Sequence, residues 1–149
     1  MMKRFYSQLL IAVLTLTTTV GFAQGGLIFT GMLDGPLTGG LPKAIEIYVV
    51  DDIDDMSLYG IAKAANGAAS PGAPSYTFPA GTAEAGTFIY LSVGSAEFET
   101  YFGFAPDYAV GDVVNNNGDD AMELYYDGTA YENMGEVGVD GTGDRKSVV

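Results

Sequence analysis

The sequence contains no cysteine and no histidine. Their absence excludes disulfides, thiolate and imidazole metal sites, Cys–His nucleophile pairs and a Ser-His-Asp triad. Export, where it occurs, therefore does not depend on oxidative folding. Tryptophan is also absent. Basic residues are scarce: 6 Lys and Arg stand against 19 Asp and Glu, for a net charge of −13. A surface of that sign repels phosphate backbones, so direct nucleic-acid binding is not expected. Such a surface favours solubility outside the cell, and clustered carboxylates open a second reading, divalent-cation binding.

What is present suits one folded domain. The chain has 149 residues, 48% of them hydrophobic and 17% charged, a balance unlike that of a disordered chain. Its 21 glycines, among scattered Tyr, Phe, Val and Ile, favour short strands joined by tight turns.

The first residues read as an address. Met1 to Arg4 is basic, Leu9 to Leu16 (LLIAVLTL) is apolar, and Gly21 and Ala23 are small residues at −3 and −1. That order predicts a cleavable signal peptide over 1–23, with Gln24 as the new N-terminus and a secreted or cell-surface destination. The apolar run is short for a membrane span, no later run approaches that length, and no cysteine follows for lipidation. A mature chain without a transmembrane anchor is expected. Without 1–23, four basic and nineteen acidic residues remain, a net charge of −15.

Strand signals follow. Leu27–Leu33 (LIFTGML) is β-prone, and Gly35-Pro36 and Gly39-Gly40 mark a loop. Ala44–Val50 alternates, with Ile45, Ile47 and Val49 on one face and Ala44, Glu46 and Tyr48 on the other. Met56–Ala62, Tyr76–Phe78 and Thr87–Val93 (TFIYLSV) are further strand candidates, separated by Gly/Ala/Pro/Ser loops. Ala121–Tyr126 and Thr129–Met134 flank Asp127-Gly128, a hairpin signal. Ser95 reads as an N-cap with Glu97 and Glu99 in the turn that follows. Phe98, Tyr101 and Phe102 then form an aromatic stripe on a short helix, read as core packing. One echo links two strands: KAIEIY at 43–48 and DAMELY at 120–125. Each sets Ala, Glu and Tyr on one face, which suits two central positions in a sandwich.

Two loops carry candidate chemistry. Asp51, Asp52, Asp54 and Asp55 flank Ile53, and Asn115, Asn117, Asp119 and Asp120 form a second oxygen-rich cluster. Ca²⁺ takes oxygen ligands of this kind. Neither loop fits the EF-hand pattern, because the Gly and the distal Glu fall at the wrong spacing, so any Ca²⁺ binding is expected to be weak. Exposed turns stabilised by Asp and Asn side chains are the other reading. No other cofactor is indicated. Glu46 and Glu123 would form a carboxylate pair if their strands were neighbours, yet a sheet face lacks the enclosed pocket that raises one pKa for glycoside hydrolysis. Gly138, Gly141 and Gly143 form no phosphate loop. The ten tyrosines suggest a sugar-stacking platform, weakened by the absence of Trp.

LIFTGML, KAIEIYVV, TFIYLSV, NNNGDDAMELYYDG and GEVGVDGTG together resemble the lamin-tail domain of secreted bacterial proteins, over roughly Leu27 to Gly143. The resemblance implies an all-β fold: an immunoglobulin-like antiparallel β-sandwich, here with one short helix, occupying 24–143. It also implies an accessory module with no established catalytic residues, often joined to secreted nucleases, phosphatases or surface-anchoring segments. The family continues past the GVDGTG loop into a further strand, so this chain is expected to lack its last strand. Residues 144–149 (DRKSVV) are the in-frame translation of GATCGGAAGAGCGTCGTG, a common sequencing adapter, and are expected to be a non-native tail. The function expected is a non-enzymatic accessory, binding or structural module of a secreted or cell-surface protein, with a protein or polysaccharide ligand. The alternative is the leading segment of a secreted nuclease or phosphatase whose catalytic domain lies elsewhere.

Overall fold

The computed structural model describes residues 25–141. The segments expected to be a signal peptide (1–23) and a non-native tail (144–149), and the expected new terminus at Gln24, lie outside them. Eight strands run in the order β1 (Leu27–Leu37), β2 (Leu41–Val49), β3 (Tyr59–Ala64), β4 (Tyr76–Thr77), β5 (Phe88–Ser92), β6 (Tyr108–Ala109), β7 (Ala121–Tyr126) and β8 (Thr129–Met134). One helix, α1 (Ser95–Phe102), follows β5, and short 3-10 turns occupy Met56–Leu58 and Gly111–Val114.

The strands form two four-stranded sheets, a front sheet ordered β1-β2-β5-β6 and a back sheet ordered β4-β3-β7-β8. The echoed strands β2 and β7 each take a central position, one in each sheet. Alternation explains why. Ile45, Ile47 and Val49 of β2, and Met122 and Leu124 of β7, all turn inward and are buried. They meet Leu27, Phe29, Ile61, Ile89 and Leu91 in one core, which Phe78 and Val114 complete. Each such side chain contributes about 1.5–3 kcal/mol by leaving water.

Several local expectations need correcting. The loop placed at Gly35-Pro36 is strand: β1 runs to Leu37, and β2 begins at Leu41, because hairpin pairing of Asp34 with Lys43 and Leu37 with Leu41 carries the chain through the proline. The segment Met56–Leu58 is a 3-10 turn, and its strand starts at Tyr59. The sheets are not wholly antiparallel, since β6 pairs parallel to β5. The two-residue Asp127-Gly128 hairpin is as expected. Both residues have positive φ, at 46° and 74°, the signature of a type I′ turn.

Candidate functional site on the front sheet

The outward face of β2 carries Ala44, Glu46 and Tyr48, and the register sets Tyr90 of β5 beside Glu46 and Phe88 beside Tyr48. On the other side of β2, Gly31 of β1 stands opposite Glu46, just after a bulge. A Cβ at Gly31 would lie 3.5 Å from Glu46 Cβ, so the missing side chain leaves open floor beside the carboxylate. Glu46 Oε1 accepts a hydrogen bond from the Thr30 hydroxyl at 2.8 Å. Burial, and after it the Glu46 charge, push the Tyr90 phenol up from its ordinary pKa.

Helix α1 lies against this face and closes only part of it. Gly94, not Ser95, is its N-cap and provides no side-chain cap; Ser95 is the first helical residue, and Glu97 alone is the acid of the first turn. Gly103, with φ 81°, ends the helix in the left-handed conformation and donates its N–H to Glu99 O. The aromatic stripe is therefore not core as a whole. Phe98 is buried, but Tyr101 and Phe102 are 46% and 42% exposed. The physical reason is position: an eight-residue helix outside the sandwich shields one ring against the sheet and leaves the next turn in solvent.

The result is a continuous aromatic surface. Tyr48 and Phe88 rings sit 5.1 Å apart, Tyr90 contacts Phe98 at 6.0 Å and Phe104 at 5.1 Å, and Phe98 meets Phe102 at 4.6 Å. Between α1 and strands β1 and β2 lies a groove of about 320 Å³, lined by Thr30, Met32, Glu46, Tyr90, Tyr101 and Phe102 among others. Its wall is mostly apolar, and Glu46 is its one carboxylate.

Glu123, the echo of Glu46, meets a different fate. The two strands lie in different sheets, so no carboxylate pair forms. Glu123 is buried under the loop that follows β3, where its Oε2 accepts from Ser70 Oγ at 2.8 Å and from Tyr125 OH at 2.9 Å. Ala68 of that loop is tied in turn to Gly138.

The two oxygen-rich loops are placed as follows. Asp51 and Asp54 are exposed, whereas Asp52 accepts from Ala85 N and Asp55 accepts from Ser57 N and Oγ, which holds the Asp55 carboxyl below its ordinary pKa. Ile53 between them is buried and bridges Ala83. In the second loop the oxygens face lysines. Lys43 Nζ reaches Asn116 O at 2.6 Å, Asn117 Oδ1 at 3.1 Å and Asp34 Oδ1 at 2.6 Å, which satisfies its three N–H donors. Lys63 Nζ donates to Asn115 O, and Asp120 Oδ1 accepts from Asn66 N. Asp119 Oδ1 is buried without a hydrogen-bond partner among the described residues. Among those residues no three acidic side chains converge to hold a metal ion.

Sequence reasoning missed the Lys43 node, although a signal for it existed. Lys43 shares its strand face with Ile45, Ile47 and Val49, so its ammonium has to be accommodated inside. No described helix is long and apolar enough to cross a membrane. The chain matches no protein-family model, no curated protein and no solved structure.

Proposed function

We propose that the chain is a non-enzymatic binding module of a secreted or cell-surface bacterial protein, of the lamin-tail type, and that the outer face of the front sheet is its working surface. The reading includes the immunoglobulin-like type of the sandwich. One observation carries the functional part: Phe88, Tyr101, Phe102 and Phe104 are each more than 40% exposed, Tyr101 and Phe102 line the groove, and the rings of Phe88 and Phe104 pack against Tyr90 of its wall. Soluble monomers tolerate isolated exposed apolar residues, while contiguous aromatic patches mark interaction sites. The back sheet supports the assignment by contrast, because its matching position is sealed.

Panning a random-peptide library against the chain, with counter-selection on a Tyr101→Ala/Phe102→Ala double variant, tests this reading. Peptides that bind the parent and lose the variant are expected. Enriched peptides that bind both proteins equally would place the working surface elsewhere.

A further inference from the structure

We propose that the groove receives a basic side chain, Arg or Lys, from an exposed segment of a partner protein; this rests on the reading of the front face as the binding surface. The walls favour such a guest. Tyr90, Phe98, Tyr101 and Phe102 bring aromatic rings to the groove, and ring faces attract cations. Met32, Leu33 and Ala44 add apolar wall for an aliphatic stem. Glu46 stands at the floor as the lone carboxylate, with Gly31 leaving space beside it.

Charge complementarity points the same way. Glu46 is bonded to the neutral Thr30 hydroxyl and to no cation among the described residues. The only lysines within 25–141 are Lys43 and Lys63, and both are engaged at the Asn115–Asn117 loop, away from the groove. A guest ammonium or guanidinium would supply the missing counter-charge. The net charge of −13 would also steer a basic partner toward the surface. A sugar fits less well. Its hydroxyls need several free polar groups, and here Thr30 and Glu46 are already bonded to each other within a mostly apolar wall.

The test uses the full chain labelled with ¹⁵N. The probes are acetylated, amidated pentapeptides of sequence Gly-Leu-Arg-Leu-Gly and Gly-Leu-Gln-Leu-Gly, with cellohexaose as the sugar. The Arg peptide is expected to shift the amides of Gly31, Glu46, Tyr90 and Phe102, and to bind at least about tenfold tighter than the Gln peptide, the gap expected of one added charge contact of about 1.4 kcal/mol. Glu46→Gln keeps an acceptor for Thr30, and its amide spectrum reports folding directly. That variant is expected to erase the preference for Arg. Filling the floor with Gly31→Leu should weaken both peptides.

Equal binding of the two peptides at those amides would overturn the basic-side-chain assignment and leave the binding surface standing. An Arg preference that survives Glu46→Gln would do the same. Cellohexaose binding there without peptide binding would make the ligand a sugar and overturn the proposal. Self-association abolished by Tyr101→Ala would make the occupant a second copy, with the same consequence. If no probe shifts any front-face amide and the chain stays monomeric, the binding-surface reading falls with it.

Discussion

Glu46 and Glu123 occupy the same place in two nearly identical strand motifs, yet one lines an open groove and the other is sealed. The strands are not the cause. Both are central, both turn Ala, Glu and Tyr outward, and both bury their alternate residues in a shared core. The covering differs. A loop rich in Ala, Ser and Gly follows the back sheet closely, so that Ser70 and Tyr125 reach Glu123. The front sheet is covered only in part by an eight-residue helix, whose Tyr101 and Phe102 line a groove that Gly31 of β1 also borders. A polar group on a sheet face becomes structural or available according to what the connecting segment can lay over it.

The largest expected effect tests what holds the two sheets in place. Lys43 on β2 anchors the loop that leads into β7. Lys43→Met keeps the aliphatic stem and leaves Asp34, Asn116 O and Asn117 Oδ1 without their donor. A loss of about 3 kcal/mol is expected in urea unfolding, at the low end for breaking a buried pair because Asp34 is 33% exposed.

The next pair bears on the comparison itself. Glu123→Ala strips the acceptor from Tyr125 and Ser70 beneath the loop and is expected to cost about 2 kcal/mol. Glu46→Ala loses only an exposed contact with Thr30 and is expected to cost under about 0.5 kcal/mol. Equal losses in thermal melts would erase the distinction between the two faces.

A smaller effect concerns Glu132 on β8, which reaches across to β1. Its Oε1 accepts from Phe29 N, while its Oε2 is buried without a partner among the described residues. Burial lifts its pKa above the ordinary carboxylate value. The folded state therefore holds this proton to higher pH than the unfolded state. The stability that follows is present below the ordinary value and lost as pH rises through the lifted one. Glu132→Gln should accordingly melt higher than the parent at pH 7, with the gap narrowing toward pH 4. A gap that widens on acidification would reverse the sign assigned to this carboxyl.

Much of this architecture is legible in the sequence, where local signals are strong. Alternation places Ile45, Ile47 and Val49 inside, and Asp127-Gly128 sets the β7–β8 hairpin. The KAIEIY and DAMELY echo foretells two central strands. Legibility fails where tertiary pairing overrides local chemistry. The Gly35-Pro36 stretch remains strand because β2 holds it, and the two-residue β6 exists only through its parallel pairing with Leu91 and Ser92. The site is less legible than the fold. Spacing alone gives Phe98, Tyr101 and Phe102 one helix face, but it does not reveal that the helix packs outside the sandwich. That oxygens at 115–117 are met by the chain's own lysines is likewise not legible from the acidic composition.

Hydroxyl-radical footprinting of the chain, alone and with a front-face-selected peptide, measures the asymmetry of the two faces most directly. Tyr101, Phe102 and Phe104 should oxidise readily in the free chain and be protected in the complex. Tyr125, 1% exposed, should stay unreactive in both. A peptide that protects none of the three front-face rings, or rapid oxidation of Tyr125 in the free chain, would contradict an open working face set against a sealed one.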